Sequence, residues 1–378
     1  MRFLYFDNNA TTPTDPKVFE AMRPYFEDMY ANAASTHKFG KQIKTSIQKA
    51  RNYVAGLLNA LPEEIIFTSG ATESVNLALK GIAQSYTKKG HHIITLATEH
   101  KAVLDTCTYL ESIGFEVTYL PLLTNGLLDL ELLRKHLRTD TVLVSCMLVN
   151  NETGVIQPIQ QIAQLSHEAG AFFFTDATQA FGKLPIDVDE CHIDLLAFSG
   201  HKIYGPKGVG GLYVRNGIRL ESILHGGGHE NSFRSGTLNT PGIVGLGMAA
   251  HLAAVQMQED QNRIQQLRDQ LEQDILAIEG TAVNGSTTQR LYNITNISFE
   301  GIQSDVLIGA LDNICVSSGS ACTSSIPEPS YVLKAMGIPN EKAFGSIRFS
   351  LGRFNTTEEV SELVQQIKQR IAELRCHA

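Results

Sequence analysis

Two reactive side chains set the chemistry open to this sequence: a lysine after an apolar run and a cysteine among small residues. Lys202 stands in Ser199-Gly-His-Lys-Ile-Tyr-Gly-Pro-Lys-Gly208, between the apolar stretches Ile193–Phe198 and Gly211–Val214. Such flanks place it where a buried strand gives way to a turn. Lysine is costly to bury, so one at a strand end either snorkels to solvent or does chemistry. A carboxylate, Asp176, closes another apolar run 26 residues earlier. An amine that can form an imine and a carboxylate that can keep a pyridine nitrogen protonated are the pair that pyridoxal 5′-phosphate needs. Two further pieces fit. The strand Glu64–Thr68 runs through Ser69-Gly-Ala-Thr-Glu73 into a helix, and the free amides and dipole of a helix N-terminus favour phosphate. No Gly-Lys-Ser/Thr follows, so this is not a Walker loop. His100 ends a second strand region, Thr98-Glu-His-Lys101, where an imidazole could cover the face of the ring.

Cys322 lies in Cys315-Val-Ser-Ser-Gly-Ser-Ala-Cys322-Thr-Ser-Ser-Ile-Pro-Glu-Pro329. A structural cysteine has apolar neighbours, as Cys315 has beside Ile314 and Val316, and as Cys146 has in its strand. Cys322 is instead expected to be exposed, mobile and available as a nucleophile, although no adjacent lysine or arginine stabilises its thiolate. Cys107, Cys191 and Cys376 read as structural or incidental. The pair His91-His92 is not a metal site, because neighbouring residues on a strand point to opposite faces. No metal is expected.

The elements that must position these groups follow from the pattern. The chain has 378 residues, 43% hydrophobic and 19% charged, which suits one large soluble domain with a smaller companion. A net charge of -8 offers no basic face to nucleic acid or anionic lipid. No run reaches the length of a membrane span, and the first residues have no signal-peptide layout. Six cysteines without a CxxC spacing point to neither a disulfide framework nor a zinc knuckle and favour the reducing cytoplasm.

Asp15-Pro16 should open a helix through about Met29, and Lys41 to Leu58 form a second. Strands and helices then alternate: strands at His92–Leu96, Glu116–Leu120, Thr141–Ser145 and Ala171–Asp176, with helices between. Several strands end in polar residues, and in open α/β sheets ligands bind at that edge. A helical stretch from about Gly242 leads into a long helix, Gln256–Ile278, with Ile264, Leu267, Leu271 and Ile275 on one stripe. Strands near Asn293–Phe299 and Ser346–Leu351 follow, and Thr356 with Glu359 forms a capping box for the last helix. The expected division is a large cofactor-binding domain, 15–255, and a small domain of 1–14 and 256–378 that carries the cysteine loop, about 317–329.

Taken in order, these motifs resemble the signatures of the NifS/IscS cysteine desulfurases. The resemblance rests on Asp7-Asn-Asn-Ala-Thr-Thr12, Ser69-Gly-Ala-Thr-Glu73, Val149-Asn-Asn-Glu152, Ser199–Gly208, His225-Gly-Gly-Gly-His229, Arg234-Ser-Gly-Thr237 and Ser317-Ser-Gly-Ser-Ala-Cys-Thr323. It covers nearly the whole chain. It implies a fold-type I, pyridoxal-phosphate-dependent homodimer: an α/β large domain with a mostly parallel sheet, and a smaller α+β domain. It further implies conversion of L-cysteine to L-alanine, with the sulfur left as a persulfide on Cys322. From there the sulfur passes to an acceptor protein, such as an iron–sulfur scaffold.

By the same resemblance, Lys202 is the Schiff-base lysine and the base at the substrate α-carbon. Asp176 faces the pyridinium nitrogen, Gln179 the ring hydroxyl, and His100 stacks on the ring. Ala71, Thr72, Ser199 and His201 form the phosphate shell, and Thr237 joins it from the other subunit. Asn151 and Arg348 hold the substrate carboxylate, a task that suits a guanidinium because it can make two parallel bonds. Two departures stand out. Asn32-Ala-Ala-Ser has alanine where the family more often has proline. The chain closes at Cys376-His-Ala378, whereas relatives that dock a scaffold often carry a longer tail, so the acceptor is left open. Selenocysteine lyase, an aminotransferase of the same fold type, and a persulfide carrier without turnover are the competing readings. A thiol in a mobile loop argues against transamination, and a carrier would need neither Lys202 nor Asp176.

Overall fold

The computed structural model describes residues 2–319 and 328–376. Among the described residues twelve strands appear in chain order. They are β1 (Leu4–Tyr5), β2 (Ile65–Thr68), β3 (His92–Leu96), β4 (Glu116–Leu120), β5 (Thr141–Ser145) and β6 (Phe172–Asp176). There follow β7 (Leu195–Ser199), β8 (Gly210–Val214), β9 (Thr281–Val283), β10 (Ile294–Phe299), β11 (Ile314–Cys315) and β12 (Ser346–Ser350). Seven of them build one sheet in the order β2-β8-β7-β6-β5-β3-β4. Only β8 runs against its neighbours; the rest are parallel and, apart from the partly exposed edge strand β4, buried on both faces, as the continuous apolar runs require. This is the expected α/β fold. The helices Ala71–Ser85 and Lys101–Ser112 close one face over a core that includes Leu77, Ile82 and Leu110. The other face belongs to a larger core that runs without a break through Ile43, Phe173 and Leu246 to Leu271 and Ile367.

The second half adds an antiparallel sheet, β12-β10-β9, and a short parallel pair of β1 with β11. The two helical segments read between Gly242 and Ile278 are a single helix, Thr240–Leu276, of 37 residues. Its first turns bury Ile243, Leu246 and Ala250, and its last bury Ile264, Leu267, Leu271 and Ile275. At its start Asn239 caps the Gly242 amide. The helix read from Asp15 to Met29 is instead two: Pro16–Met22, capped by Asp15, and Pro24–Glu27. Pro24 has no amide hydrogen to give and its ring crowds the preceding turn, so the helix restarts there. The capping box forms as read: the Glu359 amide donates to Thr356 Oγ1, and the Thr356 amide donates to the Glu359 carboxylate. Among the described residues no helix is long and apolar enough to cross a membrane.

Candidate active site

Because β2 and β7 run parallel, the ends of β2, β3, β5, β6 and β7 share one edge of the sheet, and the candidate residues sit just beyond them. In the parallel register Asp176 lies opposite Ala197, so Asp176 and the turn after Ser199 are neighbours in space. They open on a cavity of about 1110 Å³. Ala71, Thr72, His100, Asn151, Asp176, Gln179, Ser199, His201, Lys202 and Arg348 all line it. Thr237 does not; it is exposed on a separate segment. Cys322 lies outside the described residues, but both flanks of its segment, Gly319 and Glu328, line the cavity.

The wall opposite the sheet comes from the N-terminal segment, and that contribution was not assigned from sequence. Thr12 Oγ1 donates to the His201 carbonyl and accepts from the Tyr204 amide. The Asp15 amide donates to the Tyr204 carbonyl. These bonds hold Tyr204 at φ 64°, a conformation that costs a bulky residue on the order of 1–3 kcal/mol and is kept only where its surroundings enforce it. They therefore fix the turn that carries Lys202. Its Nζ donates to the carbonyls of Asn9 and, at 2.8 Å, Ala10. Burial and then the Arg348 guanidinium pull the Lys202 pKa down to about 8, against the opposing pull of Asp176 and Asp7.

The phosphate end is built as its sequence suggests. Gly70 caps the helix Ala71–Ser85 at φ 152°, and no side chain caps the first amides. A side chain at residue 70 would be strained there and would point toward Ser199 Oγ, 3.8 Å away. Glu73 in the first turn does not fill the site, because Arg234 holds its carboxylate at 2.8 Å and the Ser69 amide donates to it at 2.7 Å. Burial opposes the charge on Glu73, yet those bonds hold its pKa below the ordinary value. His201 Nδ1 pairs with Thr11 Oγ1 at 3.0 Å, and burial, Lys202, Lys207 and Lys183 push the ring down to about 4. It is therefore neutral at pH 7 and serves as a hydrogen-bonding group.

On β6, Asp176 is buried and accepts the Thr178 amide at 2.9 Å. Gln179 is buried; its Nε2 donates to the Asn9 carbonyl and its Oε1 accepts from Lys183. His100 caps the helix Lys101–Ser112 through Nδ1 and leaves its ring exposed to the cavity.

At the far end, Arg348 on β12 is 5% exposed. It donates from Nη1 to the Asn151 carbonyl and from Nη2 to Asp7 Oδ1 at 2.6 Å, while Nε has no partner among the described residues. Asn9 Oδ1, Asn151 Oδ1 and Thr178 Oγ1 are likewise buried without partners. Buried polar groups are satisfied in nearly all native proteins. This set, clustered on one cavity, fits a polar ligand with a phosphate at one end, a ring oxygen between and a carboxylate at the other. Pyridoxal 5′-phosphate with an amino acid has that form.

Sequence reasoning also missed the carboxyl groups beneath this layer. Glu99 is fully buried, accepts the Met147 amide, and is pushed well above the ordinary carboxyl range by burial. Glu152 accepts from Ser330 Oγ, and burial lifts it to about 7. Its Oε2 would lie 2.5 Å from any Cβ at residue 319, where φ is 85°; only glycine fits that position. Glu152 thus touches both flanks of the 320–327 segment. Of the other thiols, Cys107 and Cys146 are buried, Cys191 and Cys315 half-buried, and Cys376 exposed. Both ring nitrogens of His92 are paired with hydroxyls, Nδ1 with Thr141 at 2.8 Å and Nε2 with Thr118 at 2.9 Å.

The model of the class-V aminotransferase family matches residues 4–363. Two similar proteins are named cysteine desulfurase IscS. One, from Shewanella sp. (strain W3-18-1), is 53% identical over 377 residues, covering 98% of this chain and 93% of that protein. The other, from Pectobacterium carotovorum subsp. carotovorum (strain PC1), is 52% identical with the same coverage. Among solved structures, a NifS-like protein superposes with a TM-score of 0.92 at 38% identity, over 98% of this chain and all of that one. SspA in complex with cysteine gives a TM-score of 0.82 at 40% identity, over 93% of this chain and 99% of that one. The chain belongs to the class-V aminotransferase family.

Proposed function

From that membership we propose that the protein is a pyridoxal-phosphate-dependent cysteine desulfurase, taking L-cysteine to L-alanine with Cys322 as the first sulfur acceptor. One observation carries the reading: a lowered-pKa lysine, a buried aspartate, an uncapped helix N-terminus and a carboxylate-binding arginine all face one cavity, and the flanks of the Cys322 segment form its rim. When bound, the cofactor supplies an electron sink that acidifies the α-proton of an amino acid.

The protein's groups divide the remaining work. Ala71, Thr72, Ser199 and His201 hold the phosphate, with Thr237 reaching it from the second subunit of a homodimer. Asp176 keeps the ring nitrogen positively charged, Gln179 donates to the ring oxygen, and the His100 ring covers one face. Arg348 grips the substrate carboxylate through Nε and Nη2, with Asp7 yielding Nη2 and Asn151 aligning the second oxygen. Such a bidentate pair fixes the orientation of the α-carbon. Lys202 then takes the α-proton. The Cys322 thiolate attacks the substrate sulfur; a sulfur–sulfur bond forms and the carbon–sulfur bond breaks. Its electron pair stays with the substrate β-carbon, which takes up a proton, and Lys202 returns a proton to the α-carbon to complete alanine. A persulfide is a reversible thiol cap, so an acceptor protein can restore Cys322. Free thiols throughout the described chain and no spanning helix there agree with work in the cytoplasm.

Incubation with L-cysteine should yield alanine and a mass increase of one sulfur on the peptide containing Cys322. Alanine without that mass, or keto acid in place of alanine, would refute the assignment. The lysine also sets a pH dependence. Its amine must be neutral to attack an aldehyde, and its pKa is lowered to about 8 rather than the usual 10.5. Uptake of pyridoxal 5′-phosphate by the cofactor-free protein should therefore rise between about pH 7 and 9 and level off above that. A rise that begins only above pH 9.5 would show an unperturbed amine.

A further inference from the structure

A buried lysine lies beneath the site, and no step of the proposed reaction uses it. Lys183 is 7% exposed and follows Gln179 by four residues in the turn after β6. Its Nζ donates to Gln179 Oε1 at 3.2 Å, the one hydrogen bond of that side chain among the described residues. Asp260 lines the small cavity against Lys183, but Arg353 takes its carboxylate at 2.8 Å. An amine kept from water without an ion partner is costly, and an apolar side chain of equal length would fill the space at less expense. What the position retains is therefore a donor.

That donor has a directional effect. A glutamine amide can be turned either way, and its two ends differ only in what they offer. Facing a group that donates, Gln179 must present its oxygen. Its nitrogen is then turned toward Asn9, donating to the carbonyl at 3.0 Å, with its second N–H left for the cavity. The same Asn9 carbonyl accepts from Lys202 Nζ, so one carbonyl ties the carboxamide to the reactive amine.

We propose that Lys183 is a positioning residue for the cofactor site, fixing the Gln179 carboxamide with its nitrogen toward the ring oxygen of pyridoxal 5′-phosphate. This rests on Gln179 being the donor to that oxygen. Burial, and then the nearby Lys202 and Arg348, bring the Lys183 pKa down to about 7; the donor role rests on the contact from Nζ to Gln179 Oε1.

A double-substitution cycle on the full-length protein tests it, using Lys183→Met, Gln179→Ala and both together. The readouts are the dissociation constant of pyridoxal 5′-phosphate from titration of the cofactor-free protein, and the pH midpoint of the bound cofactor's visible absorption. Lys183→Met should weaken cofactor binding about 3- to 10-fold, the size of one hydrogen bond, and shift the midpoint. In the Gln179→Ala background it should change neither, because the amide it orients is gone. Equal effects in both backgrounds, or no effect of Lys183→Met while Gln179→Ala has one, would overturn the proposal. If Gln179→Ala alone alters neither readout, the assignment of Gln179 itself fails. Melting of the cofactor-free variants separates orientation from folding: Lys183→Met should melt no lower than the parent. If it does not fold, the same cycle is run with Lys183→Leu and judged by the same outcomes.

Discussion

Replacing Lys202 with alanine should lower alanine formation by at least about 10⁴-fold, since loss of a nucleophile that also moves protons removes two functions together. The protein should still bind pyridoxal 5′-phosphate, because the phosphate amides, Asp176 and Gln179 remain, but without covalent attachment. Borohydride should fix the cofactor to the parent protein and not to the variant. Mass spectrometry of the reduced proteins reads the difference directly, and cofactor trapped on the variant would remove Lys202 from its role. The structure sharpens the expectation. The amine lies against two carbonyls, of Asn9 and Ala10, on a turn fixed by Thr12 and Tyr204. Alanine leaves the turn in place, so the loss reports on the amine and not on the fold.

The second large effect belongs to Cys322→Ser. The variant should keep the cofactor's colour and its affinity for L-cysteine while losing sulfide release, measured with a reductant present, by roughly 10³-fold or more. The described residues on either side of its segment, Gly319 and Glu328, both line the cavity. Normal turnover by Cys322→Ser would mean that another thiol receives the sulfur or that none does. Cys107 and Cys146 make poor substitutes: burial raises both thiols, the first to about 12.

The strand ends were legible in the sequence because parallel buried strands are continuous apolar runs, and the polar residue that stops each run marks the edge where a ligand sits. Lys202, Asp176 and the Gly70 turn could be placed on that basis. Arg348 was legible as a strand residue, but its partner Asp7 was not: the two are 341 positions apart, and no local pattern reports such a contact. The same holds for Glu152 with Ser330, 178 positions apart. Lys183 had a weak signal, a lysine four residues past Gln179 in a turn between apolar runs. Nothing local distinguishes it from a solvated lysine, because its burial is imposed by Tyr204 and the long helix, which arrive from elsewhere in the chain. The break at Pro24 was readable too, because a proline inside a helical stretch interrupts it.

The helix Thr240–Leu276 has a consequence for how the molecule comes apart. At about 1.5 Å per residue it is a rod some 55 Å long, with one end set in the packing beneath the seven-stranded sheet and the other in that of the three-stranded one. Neither half can be liberated as an intact fragment, since any cut leaves a stump with its greasy side bare. Melting should thus engage both sheets together, and Arg348 stays at a fixed range from Lys202 for as long as the rod holds.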